Sequence, residues 1–90
     1  MSAIEQKSFP ARLALLPDAA AFAQAFCERC GIARVDAIRL TLIIEELFTN
    51  SVEHGYGGDS DAPIGVALSV EADGVCVRFE DSAPPFDPRA

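Results

Sequence analysis

Residues 36–56, DAIRLTLIIEELFTNSVEHGY, decide the fold. Asp36 offers an N-cap, and a helical reading runs from there to about His54, where the stretch 55–61, GYGGDSD, breaks any helical pattern. At about 100° per residue, Ala37, Leu40, Ile44 and Phe48 fall on one side, a stripe suited to face a sheet. The opposite side holds Glu46, Asn50 and Glu53 in one narrow sector with His54 beside them, and the apolar Leu42 and Ile43 border that sector one turn earlier.

A carboxylate and a carboxamide one turn apart converge on a small volume. A Glu in a partly dry cleft has its charged form disfavoured and its pKa raised, which suits a general base acting on water or a hydroxyl. The neutral carbonyl oxygen of an Asn completes the shell of a hard magnesium ion while phosphate oxygens and waters supply the rest. The alternative reading of the same residues is a hydrated helix face with one capping His.

Upstream, residues 8–16 alternate Phe9, Ala11, Leu13 and Leu15 with Pro10, Arg12 and Ala14, the pattern of a half-buried strand with Pro10 at an edge or a start. Pro17 and Asp18 offer a cap for a first helix running to about Cys30, with Ala19, Phe22, Ala23, Phe26 and Cys30 on one stripe and Gly31 as its terminator. Downstream, Ile64, Val66, Leu68 and Val70 alternate with smaller residues; after the turn Ala72-Asp73-Gly74, so do Val75, Val77 and Phe79, which predicts a hairpin. Counting by twos from Val75 puts Asp81 on the inward face, where a carboxylate wants a donor-rich partner such as the amino group of adenine, or else turns to cap the next loop. The prolines of the tail 81–88, DSAPPFDP, cannot continue a ladder.

Ninety residues make one compact unit or a piece of one, and 50% hydrophobic residues describe a folded chain. A formal charge of −7 repels phosphate backbones and anionic lipid, so neither nucleic acid nor a membrane surface is an expected partner. No apolar run approaches the roughly 20 residues of a membrane span and the N-terminus lacks a signal-peptide pattern, which makes the cytoplasm the expected location. Cys27, Cys30 and Cys76 are odd in number, and the one CxxC pair reads as two small, semi-buried helix residues rather than a redox or zinc site.

The stretches 45–56, EELFTNSVEHGY, and 81–88, DSAPPFDP, resemble two boxes of the GHKL-type ATPases shared by gyrase, histidine kinases and heat-shock chaperones. The first is similar to the N box, a Glu four before an Asn with a His four further on; the second is similar to the adenine box, usually written with Gly where Ala83 stands. The nearest resemblance is to the bacterial anti-sigma-factor serine/threonine kinases. It implies an α+β, two-layer sandwich with helices on one face of a mixed or antiparallel sheet, an incomplete Bergerat-like ATP-binding fold forming a single partial domain over residues 1–90.

Carried onto this chain, the resemblance makes Glu46 the catalytic base toward an acceptor serine hydroxyl and Asn50 the ligand of a magnesium ion bridging the phosphates of ATP. It makes Asp81 the acceptor for the adenine amino group, puts His54 near the phosphate side, and lines the base's edge with Ala83 and Pro85. The family's glycine-rich phosphate lid lies beyond this box, so the resemblance leaves open whether the chain is an enzyme. The implied cofactors are ATP or ADP and Mg, and the implied partners are a sigma factor and an anti-anti-sigma-like protein. An unpaired sheet edge at Val75 to Glu80 or its neighbour further predicts a homo-oligomer. A nucleotide-free interaction module that keeps the fold but not turnover is the competing expectation.

Overall fold

The computed structural model describes residues 4–72 and 74–81, and its elements run in the order strand, helix, helix, strand, strand. β1 spans Ile4–Pro10, α1 Leu16–Cys30, α2 Arg34–Asn50, β2 Pro63–Glu71 and β3 Gly74–Asp81. A 3-10 turn at Leu13–Leu15 leads into α1, and a π turn at Ser51–Gly55 prolongs α2.

The first strand lies earlier than the alternation over 8–16 predicts, because it ends at Pro10, which has no N–H for a ladder. The acidic loop after α2 then captures the chain: Leu13 N–H donates to Asp59 Oδ1 at 2.9 Å, and the Arg12 guanidinium pairs with Asp61. Ala11 N–H donates to Ala62 O at 2.9 Å, and Ser60 N–H to Ala11 O at 2.8 Å, which seats the fully buried Ala11 beneath that loop.

Neither expected helix cap is a cap. α1 starts at Leu16 with Leu15 at the cap position and no side-chain bond there; Pro17 fills a first-turn position whose N–H has no helical use, and Asp18 favours the helix dipole from the first turn. Asp36 likewise sits in the first turn of α2, whose cap position is Ala33. The end of α1 is as expected: Gly31 is left-handed at φ 65°, and Ile32 N–H donates to Cys27 O at 2.9 Å.

The sheet is antiparallel throughout, in the order β1-β2-β3, and both helices pack on one face of it, a two-layer α+β architecture. Period-two alternation sends Phe9, Ile64, Val66 and Leu68 inward to meet Ala19, Ala23 and Phe26 of α1 and Leu40, Ile44 and Phe48 of α2. Val75, Val77 and Phe79 of β3 are half-buried against the same core. Phe9 stands edge-on to both Phe22 and Phe48, with ring centroids 6.1 and 6.2 Å apart, a favoured aromatic geometry that pins β1 under the two helices. The hydroxyl of Thr41, buried in α2, donates to Ala37 O at 2.9 Å and so is satisfied.

On α1 the buried stripe is Ala19, Ala23, Phe26 and Cys27, with Cys30 half-buried. Among the described residues, no helix is long and apolar enough to cross a membrane.

Candidate functional site

One row across the sheet builds the site. Phe9, Ile64 and Asp81 are register partners in β1, β2 and β3 respectively, so all three project on the same face. Phe9 meets Phe48 of α2 at one end of the row. At the other end Asp81 meets Ser51, three residues further along the same helical path, whose Oγ donates to Asp81 Oδ2 at 2.7 Å. Asp81 therefore reaches the helical layer, as its inward register predicts, although its residue surface is largely exposed.

Ser51 is buried at 8% relative exposure and stands directly after Asn50. The bond thus brings the strand-end carboxylate to the helix residue beside the carboxamide. Sequence periodicity missed Ser51; its signal was a small hydroxyl placed where the α2 core stripe continues past Phe48, at a point where an apolar residue would be expected.

Glu46 and Asn50 are four residues apart within α2, which keeps them on one face, and both are exposed. Their sector does not continue unchanged to Glu53 and His54. The backbone passes from α to π at Ser51, and each residue of a π turn advances less around the axis, so α-helical spacing from Asn50 does not carry over to Glu53 and His54. Both are exposed in that turn, which Tyr56 N–H closes by donating to Ser51 O at 2.9 Å. Ala83 and Pro85 lie outside the described residues.

Three concavities are formed elsewhere: between α1 and α2, on the outer face of β1 and β2, and between α2 and the start of β3. None of these three takes in Glu46, Asn50 or Asp81. Among the described residues no group of three or more His, Cys, Asp or Glu side chains gathers as a metal cage. The exposed amide oxygen of Asn50 fits a magnesium ion that takes most of its shell from phosphate oxygens and waters.

The thiol of Cys27, buried in α1, is pushed up from its ordinary pKa by burial and, second, by the neighbouring Cys30. Such a thiol is a packing group rather than a nucleophile.

A profile of the histidine kinase-like ATPase domain matches residues 9–90. No curated protein matches the chain closely enough to count as a relative. The matched span takes in β1 from Phe9, both helices, the hairpin and both resembled boxes. With nearly the whole chain matched and its two helices laid on an antiparallel sheet, the protein belongs to the histidine kinase-like ATPase domain family.

Proposed function

We propose that the protein binds ATP or ADP with magnesium beside α2 and β3, and serves as a regulatory protein serine/threonine kinase domain of the anti-sigma-factor type in the cytoplasm. The observation that carries this is the 2.7 Å bond between Ser51 and Asp81, which brings the strand-end carboxylate to the helix that bears Glu46 and Asn50. In this reading Asp81 accepts from the amino group of adenine, and Ser51 orients the carboxylate for it. Asn50 offers its amide oxygen to the magnesium ion, whose chemistry is to neutralise charge on the phosphates. Glu46 takes the proton of an acceptor serine hydroxyl on an anti-anti-sigma-like protein, and a sigma factor is the second partner. His54, Ala83 and Pro85 complete the nucleotide's surroundings.

A second reading, a protein-interaction module without turnover, is favoured by the large apolar side chains that α2 exposes. Calorimetric titration with Mg-ADP separates the two. Under the first reading the chain binds ADP, Asn50→Ala loses the magnesium dependence and Asp81→Asn weakens binding at least about tenfold, the loss of one charge-assisted hydrogen bond. Absence of heat with the parent chain, at concentrations that give heat with a lid-containing histidine kinase-like ATPase, rejects the nucleotide reading.

A further inference from the structure

Four large apolar side chains of α2 stand in solvent: Val35 at 61% exposure, Ile38 at 50%, Leu42 at 59% and Ile43 at 47%. Three of them, Val35, Ile38 and Leu42, recur at i, i+3 and i+7 and so form one continuous stripe. This stripe borders a groove of about 460 Å³ between α1 and α2, lined from α2 by Arg34, Ile38, Leu42 and Glu45. An apolar stripe edged by charges is the form of a helix that packs against another helix.

The charges identify the other helix. Arg34 and Glu45 are eleven residues apart, which is about three turns, so they sit on the same flank of the stripe roughly 16 Å apart along the axis. Ile38 and Leu42 lie between them. The midpoint of the charged pair and the midpoint of the apolar pair fall within one residue of each other, near residue 40. A two-fold axis at that point therefore sets Ile38 against Leu42 of a second copy and, on the same flank, Arg34 against that copy's Glu45, twice over. Within one copy this polarity is not rewarded: Arg34 opens the helix, Glu45 and Glu46 lie toward its end with no basic residue in the last turn, and only Asp36 in the first turn favours the helix dipole. Among the described residues Arg34 and Glu45 take part in no ion pair.

We propose that the exposed face of α2 is a self-complementary interface through which two copies of this chain pair antiparallel, with Ile38 and Leu42 at its centre and Arg34–Glu45 pairs at its ends. This moves self-association from the sheet edge, where sequence patterning puts it, to the helical layer.

Charge reversal in sedimentation velocity across a concentration series tests it. Arg34→Glu and Glu45→Arg each set like charges together at both ends, and each is expected to raise the dimer dissociation constant at least about tenfold. The double variant, and an equimolar mixture of the two single variants, restore every opposite-charge contact and are expected to recover dimers. Ile38→Asp abolishes dimerisation with the circular dichroism spectrum unchanged, since the side chain is exposed in one copy. A parent chain that stays monomeric to several hundred micromolar, a dimer indifferent to Ile38→Asp, or single variants that do not recover on mixing would each overturn the proposal. In the first of these outcomes the stripe belongs to a different partner; in the second the sheet edge is the interface.

Discussion

Ser51 and Asp81, thirty positions apart in sequence, are joined by a hydrogen bond of 2.7 Å from hydroxyl to carboxylate that ties the end of β3 to the turn after α2. Because Ser51 is buried while the residue surface of Asp81 is exposed, the bond anchors the hairpin from inside the helical layer.

Anchoring and the proposed nucleotide binding separate by mutation. Ser51→Ala removes the donor and is expected to cost about 1 kcal/mol of stability. Asp81→Asn keeps an acceptor oxygen for Ser51, so it is expected to lower ADP affinity by more than it lowers stability. Urea denaturation and ADP titration of both variants check this; parallel losses in the two measurements would make Asp81 a structural residue alone.

Phe48 is fully buried and edge-on to Phe9, at the crossing of α2 with β1. Phe48→Ala is expected to cost about 3–5 kcal/mol, a large part of the roughly 5–10 kcal/mol that holds a domain of this size. Gly31→Ala, at φ 65°, is expected to cost about 1 kcal/mol, since a Cβ meets no neighbour there and only the backbone conformation resists it. Thermal melts followed by circular dichroism should rank them in that order.

Burial keeps the folded-state pKa of the Cys27 thiol above its ordinary value of 9.0. In the unfolded chain the same thiol ionises at its ordinary pKa, so between the two values the unfolded state holds fewer protons and stability falls as pH rises. The loss therefore begins near pH 9 and is absent at neutral pH, and Cys27→Ser removes this slope. Iodoacetamide should label the exposed Cys76 well before Cys27, and mass spectrometry of the timed reaction reads the order.

Hydrophobic period carried most of the architecture. The core faces of α2 and β2 are legible because Leu40, Ile44, Phe48, Ile64, Val66 and Leu68 sit at helical or strand spacing and are all buried. The inward register of Asp81 was legible for the same reason. What period could not show was the outcome of competition. The alternation from Phe9 through Leu15 reads as a strand, yet Asp59 and Asp61, nearly fifty positions later, take its backbone and its arginine. The bond from Ser51 to Asp81 escaped because a lone serine carries no pattern; the sheet row through Phe9 and Ile64 brings the two within reach. Nor does period distinguish an α turn from a π turn, so the change of spacing that precedes Glu53 and His54 was invisible.

β1 finds its neighbour far along the chain. Phe9 faces Ile64 across 55 positions of chain, and nothing between them supplies β1 with a ladder. The helical hairpin and the β2-β3 hairpin both close locally, whereas β1 must wait for the central strand to emerge before it has a neighbour. Assembly is thus expected to finish, and its slowest loop closure to occur, at the N-terminal edge.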